Sequence, residues 1–464
     1  MKKSILFGGG KRKNFILACS LMLAFILSGC SSDSQVLSTA ISQIDTKFSN
    51  HKEQLHDYDS PYTICYQNKD DNYSMYIFAS PIQFKTKDGY QIIDNTVMKS
   101  SKKEFAFENK ANEIKTYFPH HLTDYFLIEK GTDSLQFKPH FDVSEFSKAK
   151  SKMIKNMYGD KVSAVMYESP SMDLVFYPTK AGIKAEIILR KKPADNVFEF
   201  DVKTTATWYE NKRNGYILFK DGKENKSIIY APLIKGNADT EDNLSIESQL
   251  LFSETETGYK LWIEVDKKLL SNDKTKYPVK FDPSFEMYLN KMPDTSVYSK
   301  FDTNSYLRQY AVIGEHPTLG EGWEYVRFRL NYFMTVTNSN ILNARYSIRS
   351  LLPYYTSMNL SVSEMIEPWT STQMTWNTRY NKCIDLSTNC NSTNDCIEIE
   401  LTEYVKRAVA DITWRKESYG VLLKSNNDEY FLAATSDNSL YSPYLHLALR
   451  TLPYRFTPPE NINP

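Results

Sequence analysis

The sequence predicts an all-β protein with two domains of β-sandwich or jelly-roll type, which follow an apolar leader and a flexible tether. Aromatic residues form 14% of the 464-residue chain, with 32 Tyr and 25 Phe against 6 Trp. The Tyr and Phe residues occur in short runs with Val, Ile and Thr, a composition typical of strands. Asp-Gly and Asn-Gly pairs interrupt these runs, as expected between antiparallel strands. We predict a leader 1–29, a tether 30–60, a first β domain 61–285, a second β domain 286–453 and a tail 454–464.

The leader has the pattern of a secretory signal. Five basic residues precede the apolar run 15–27, which is too short to span a bilayer comfortably. The run ends in Leu27-Ser28-Gly29-Cys30, which resembles the lipobox of bacterial lipoproteins. This resemblance implies that Cys30 receives a diacylglyceryl group, becomes the first mature residue and anchors the chain in the cell membrane. An ordinary cleaved signal and an uncleaved anchor helix are the alternatives.

Charge and cysteine content narrow the class of protein. Five of the 56 basic residues lie in the leader, which leaves 51 basic against 56 acidic residues. This net negative charge gives no reason to expect a nucleic-acid-binding surface. Beyond the leader and Cys30, four cysteines remain, too few for a disulfide framework in a chain of this size. Cys383, Cys390 and Cys396 could form one local disulfide or remain free thiols, and a zinc site would need a fourth ligand that no nearby His supplies.

Two polar segments flank or interrupt the predicted strands. Residues 31–60 carry Leu37, Ile41, Ile44 and Phe48 at helical spacing, which favours a tether with a short amphipathic helix, or a helix packed on the first domain. Residues 144–157 contain four lysines around Phe146, Met153 and Ile154. A solvated insertion is the favoured interpretation, and a membrane- or polyanion-binding helix is the alternative.

The first β domain resembles a region near the start of bacterial wall-associated and Rhs-type surface proteins. The resemblance rests on the strand pair 161–167 and 173–177, on the segment 182–189, on 261–270, and on Tyr277-Pro-Val-Lys-Phe-Asp-Pro283, which is similar to the end of that region. The chain has no tyrosine-aspartate repeat array and no C-terminal toxin, so the resemblance implies a scaffold and no toxin delivery. Tyr167, Leu174, Phe176 and Ile183 are predicted as alternating core residues.

The second β domain resembles the DNRLRE domain. The matching segments are 325–330, 341–348, Glu367-Pro-Trp369, Met374-Thr375-Trp376-Asn377, 397–402, 419–423 and 443–447. The resemblance implies a jelly roll of a kind grouped with carbohydrate-binding modules on bacterial surface proteins, and the families together favour a Gram-positive envelope. One helix is predicted from Thr402 to Trp414, because Val405, Ala408, Val409 and Ile412 form one stripe.

Candidate ligand contacts come from the aromatic residues of the second domain. Trp369 and Trp376, in a motif with Thr375 and Asn377, could stack on sugars, but a core role is favoured for both tryptophans. Trp323 follows Leu319-Gly-Glu-Gly, a predicted loop position where an exposed ring could stack on a sugar, so Trp323, Arg379 and Tyr380 are the predicted ligand contacts.

No catalytic motif is found. The chain lacks nucleophile-elbow, zinc-protease, P-loop and dinucleotide patterns, and no cofactor is expected, although loop carboxylates could hold a structural Ca²⁺. We therefore expect a non-catalytic, lipid-anchored protein of the extracytoplasmic membrane face that binds polysaccharide or another envelope component through its second domain. A purely structural scaffold and a glycan hydrolase with an unidentified carboxylate pair are the alternatives.

Overall fold

The computed structural model describes residues 50–213, 215–237, 244–328, 337–351, 360–386, 390–393, 396–410, 419–425 and 430–453. The leader, Cys30, most of the tether, the end of the predicted helix at Trp414 and the tail lie outside these ranges. Within them the chain is mostly strand, which confirms the all-β fold class. Neither α-helix in the described ranges has the length and hydropathy needed to cross a bilayer.

Thirty-six strands alternate with short turns in the described ranges. The first eighteen are β1 His51–Gln54, β2 Thr63–Asn68, β3 Tyr73–Phe78, β4 Gln83–Thr86, β5 Gly89–Ile92, β6 Asp94–Lys99, β7 Phe105–Ala111, β8 Lys115–Pro119, β9 Phe126–Lys130, β10 Asp133–Pro139, β11 Lys150–Lys155, β12 Lys161–Glu168, β13 Met172–Pro178, β14 Gly182–Leu189, β15 Val197–Thr204, β16 Trp208–Lys212, β17 Tyr216–Asp221 and β18 Glu224–Tyr230. The remaining strands are β19 Ile234–Lys235, β20 Leu244–Ser245, β21 Ser248–Thr255, β22 Gly258–Val265, β23 Val279–Phe281, β24 Ser284–Met287, β25 Asp294–Tyr298, β26 Phe301–Ser305, β27 Tyr310–His316, β28 Gly320–Val326, β29 Ile341–Arg349, β30 Leu360–Met365, β31 Cys383–Asp385, β32 Cys390–Thr393, β33 Cys396–Glu400, β34 Val421–Ser425, β35 Tyr430–Ala434 and β36 Tyr444–Leu449. The α-helices are α1 Lys267–Ser271 and α2 Thr402–Ala410, and 3-10 turns occur at His56–Tyr58 and Asn338–Asn340.

Four antiparallel sheets build the described part of the molecule, together with the small hairpin β4–β5. The outer sheet has the order β21-β22-β15-β10-β9-β8-β7-β6. The central sheet has the order β11-β12-β13-β14-β24-β18-β17-β16, with β19, β20 and β23 attached at its side. The terminal sheet has the order β1-β2-β3-β36-β29-β33-β32. The distal sheet has the order β26-β25-β28-β34-β30-β31, with β27 and β35 beside β28.

The outer and central sheets form the first sandwich. Its core contains the predicted alternating residues of β12 to β14, all of them buried. A phenylalanine stack crosses the middle of this core: Phe126 lies 4.2 Å from Phe176, and Phe137 lies 3.7 Å from Phe285, ring centre to ring centre. Each of these rings buries a large apolar area between the sheets, so the stack contributes to holding the two sheets together.

The terminal and distal sheets form the second sandwich, with α2 packed against its core. The apolar stripe of α2 predicted from the sequence is buried through Val405, Ala408 and Val409. The helix is described to Ala410, so its predicted start is confirmed and its predicted end lies outside the described residues.

The first strands of the chain complete the sheet of the second sandwich. β3 pairs with β36 over its full length, and the half-buried His446 places Nε2 3.2 Å from the Ser74 hydroxyl, 372 residues earlier. Residues 51–54, predicted as tether, are strand β1, where His51 stacks on Tyr66 at 4.1 Å. The predicted boundaries at residues 60 and 285 do not include this exchange, because local patterns carry no information on so distant a partner.

The lysine-rich segment is also a strand. Residues 150–155 form β11 at the edge of the central sheet, so the helical alternative is wrong. Lysine on an edge strand is a common feature, because its charge discourages pairing with another chain.

The two sandwiches pack against each other on the face of the central sheet that points away from the outer sheet. This interface contains both apolar and polar contacts. Met157, Leu233 and Ile246 of the first sandwich pack with Tyr310 and Leu432 of the second. The boundary between the sandwiches is therefore a packed interior rather than a linker.

A buried polar network lies within this interface. Lys184 Nζ is 3.0 Å from Asp282 and donates to Gln309 Oε1 at 2.9 Å, while Gln309 Nε2 donates to Glu286 at 2.7 Å. Burial raises the pKa of Glu286. Gln309, from the second sandwich, thus joins a cation and a carboxyl of the central sheet.

Removing the cation of this network should be costly. Lys184→Met leaves the carboxylate of Asp282 buried, with 2% of its side chain exposed, so we expect a loss of about 3 to 5 kcal/mol in the free energy of unfolding. Lys150→Met, which removes a surface partner of Glu168, should cost less than about 1 kcal/mol. Urea denaturation of both variants measures this, and equal losses would contradict the assigned role of Lys184.

Candidate functional site

Trp323 is not in a loop. It lies on β28 and is 8% exposed, which corrects the predicted loop position. Its ring is covered by cations, with Lys424 Nζ 3.6 Å and the Arg379 guanidinium 4.8 Å from the ring centre, and its N–H donates to Glu321 at 2.7 Å. The sequence places the ring correctly near Arg379, but the alternation of β28 turns it onto a packed face instead of into solvent.

The structure brings the three predicted ligand contacts together. Arg379 also lies 3.9 Å from the ring centre of Trp376, and Tyr380 is partly buried, with its carbonyl accepting the Tyr325 hydroxyl at 2.9 Å. Trp323 and Trp376 are 5.1 Å apart. The cluster is a cation–π stack on the outer face of the distal sheet, in which the cations already occupy the ring faces that a sugar would need.

The tryptophan motif covers the same face. Trp369 is 4% exposed and donates its N–H to the Tyr419 carbonyl, as a buried tryptophan requires. The Thr375 and Thr378 hydroxyls bond to each other at 3.1 Å, and Asn377 lies exposed on the same turn. These residues hold the 366–382 connection against the sheet, so the motif serves packing.

The cysteines and carboxylates form no metal site in the described ranges. Cys65, Cys383, Cys390 and Cys396 form no disulfide among the residues that the structure describes. No group of three or more His, Cys, Asp or Glu side chains in those ranges is arranged to hold an ion. The proposed structural Ca²⁺ stays a prediction.

A cleft of about 300 Å³ lies between the two sandwiches. One wall comes from the ends of β21 and β22 and the start of α1, and the other comes from the turns around β26 and β27. The first wall contributes Ile246, Glu247, Ser248, Gln249, Glu264, Val265, Asp266 and Lys267, and the second contributes Phe301, Arg308, Thr318 and Leu319. The sequence could not indicate this site, because the lining residues come from five separated segments and form no motif.

The first wall presents two carboxylates that are available to a ligand. Asp266 is occupied, since its carboxylate accepts the Lys268 N–H at 2.8 Å and the Ser245 hydroxyl at 2.8 Å at the start of α1. The carboxylates of Glu247 and Glu264 have no hydrogen-bond or ion-pair partner among the residues that the structure describes. The cleft can therefore accept hydrogen bonds from hydroxyl or amino groups, with Phe301 and Leu319 offering apolar contact opposite.

A neutral histidine fixes the turn on the second wall. His316 Nδ1 accepts the N–H groups of Thr318 and Leu319, each at 3.2 Å. An acceptor nitrogen must be unprotonated, and burial lowers the pKa of His316 to about 4. The shape of the turn next to the cleft therefore depends on a neutral imidazole.

No model of a known protein family matches this chain, and no curated protein matches it. The likeness to the DNRLRE domain and to wall-associated proteins therefore stays an expectation from the quoted motifs.

Acidification should weaken the fold through His316. The unfolded imidazole binds a proton below about pH 6.5 and the folded one only near pH 4, so stability is complete above pH 6.5 and is lost as the pH falls. Between pH 7 and pH 5 we expect the wild-type chain to lose about 2 kcal/mol more than His316→Asn, which keeps an acceptor. Denaturation curves at both pH values test this, with His121→Asn as the exposed control, and an identical pH dependence of wild type and His316→Asn would refute it.

Proposed function

We propose that this chain is a non-catalytic, lipid-anchored protein of the extracytoplasmic face of the cell membrane that binds an envelope polysaccharide in the cleft between its sandwiches. The observation that carries the proposal is the juxtaposition of two partner-free carboxylates, Glu247 and Glu264, with Phe301 and Arg308 across the cleft.

The chemistry of the lining supports a glycan with hydroxyl and amino groups. The cleft volume of about 300 Å³ is at the small end of ligand pockets and suits a short stretch of sugar rings. Carboxylates and the Gln249 amide can bond to hydroxyl or amino groups, and the apolar side chains of Phe301 and Leu319 can pack against the C–H face of a ring. The second sandwich thus takes part in binding through its turns near β26 and β27. Its cation–π stack at Trp323 serves packing and does not contact the ligand.

The carboxylates provide the first test of this proposal. Titration calorimetry with a deacetylated chitin tetramer should give a dissociation constant about tenfold larger for Glu264→Gln, because one charge-assisted hydrogen bond is lost. Glu256→Gln, the same change at the exposed far turn of the β21–β22 hairpin, should leave the constant unchanged.

Three outcomes of that titration would contradict the proposal. Equal binding by wild type and Glu264→Gln would show that the cleft is not the binding site. No binding to the tetramer or to a neutral cellulose tetramer would favour a purely structural scaffold. Release of reducing ends during the titration would favour the hydrolase.

The anchor has its own test. Mass spectrometry of the mature amino terminus should find an acylated Cys30, and Cys30→Ala should leave the precursor uncleaved. An unmodified Cys30 in a full-length chain would refute the lipid anchor but would not affect the proposal that the cleft binds a polysaccharide.

A further inference from the structure

Two exposed methionines lie at one corner of the first sandwich. Met98 is 43% exposed on β6, and Met153 is 50% exposed on β11. β6 is the edge strand of the outer sheet, and β11 is the edge strand of the central sheet. β6 packs against β12, the strand next to β11, where the Val97 N–H donates to the Ser163 hydroxyl at 3.0 Å. Met98 follows Val97 in sequence and Met153 is the cross-strand partner of Ser163, so both methionines flank this contact.

Lysines surround the same corner. Lys99, Lys155 and Lys161 are exposed and have no ion-pair partner among the described residues. Lys150 and Lys152 lie beside them and share one partner, Glu168, at 2.8 and 3.1 Å. Asp160, which precedes Lys161, is neutralised by Arg349 at 3.0 Å. The corner therefore carries a net positive charge.

Protection of edge strands explains the lysines but not the methionines. Charged residues alone would prevent pairing with another chain, whereas exposed apolar side chains on an edge strand work against that protection. A surface that combines flexible apolar side chains with surrounding lysines has the composition of membrane-interfacial segments, in which the apolar groups enter the headgroup region and the cations meet anionic lipids.

We infer that this corner, defined by Met98, Met153, Lys99, Lys155 and Lys161, docks on an anionic lipid bilayer. The proposal does not depend on the cleft. It supplies a second membrane contact besides the acyl chains proposed at Cys30, and it would set the orientation of the molecule on the membrane. The occupant is a lipid surface because the patch lies on strand edges and its exposed lysines complement the dispersed negative charge of anionic headgroups.

Oxidative footprinting of the full chain tests the inference without any substitution. The chain is reconstituted in vesicles of phosphatidylcholine alone or with phosphatidylglycerol, exposed to hydroxyl radicals, and digested for mass spectrometry. We expect oxidation of Met98 and Met153 to slow about tenfold on the anionic vesicles, and the protection to disappear at roughly 0.5 M NaCl. Trp208, which is 42% exposed at the opposite edge of the central sheet, is the internal control and should oxidise equally on both vesicles.

A matched pair of charge variants sharpens the test. The triple change Lys99→Glu, Lys155→Glu and Lys161→Glu should abolish the protection. The control triple Lys191→Glu, Lys192→Glu and Lys223→Glu alters the same number of exposed charges elsewhere and should retain it.

Each contrary result overturns the inference. Equal oxidation on both vesicles would show that the corner does not meet lipid. Protection that survives the first triple change would show that these lysines do not contribute to membrane docking. Equal protection by soluble dextran sulfate without vesicles would assign the corner to a polyanion instead of a membrane.

Discussion

The arrangement of the two sandwiches depends on a buried polar network in which Gln309 lies between Lys184 and Glu286. The Gln309 amide accepts from the cation and donates to the carboxyl, so a single neutral group bonds to both ionisable neighbours inside the interface, beside the Lys184–Asp282 ion pair and the hydrogen bond from the Ser439 hydroxyl to Glu286. Such charges are tolerated in an interior only when their hydrogen bonds are met. The cleft is built from both sandwiches, and its width follows from the relative position that this network fixes.

The aromatic residues of the second sandwich illustrate how position in a strand determines role. Trp323 and Trp376 have the chemistry of sugar-stacking residues, yet the ring of Trp323 is covered by Lys424 and Arg379. Among the described residues, the cleft lining has one aromatic ring, that of Phe301, and two carboxylates without partners. The cleft therefore differs from the packed face around Trp323 in having polar groups that are available to a ligand, although it has fewer aromatic rings.

Local sequence patterns predicted the features that depend on residues close together in the chain. The all-β class, the alternating core of β12 to β14 and the start of α2 follow from side-chain periodicity and were confirmed. β1 has only polar residues, and three of the six residues of β11 are lysines, so neither strand shows the alternation that indicates a strand. The cleft could not be predicted, because Glu264 and Phe301 meet only through the packing of two sheets. The loop position of Trp323 was wrong because glycines that indicate a turn also occur within β28.

The pairing of β3 with β36 has a consequence for the order of folding. The first sandwich lies between these two strands in sequence, so its sheets can form while the chain is still being made. β3 must meanwhile wait with an open edge until β36 emerges, because His446 of β36 follows Ser74 of β3 by 372 residues. An unpaired edge held for that long is exposed to aggregation, so the second sandwich is the part whose maturation would benefit most from a chaperone.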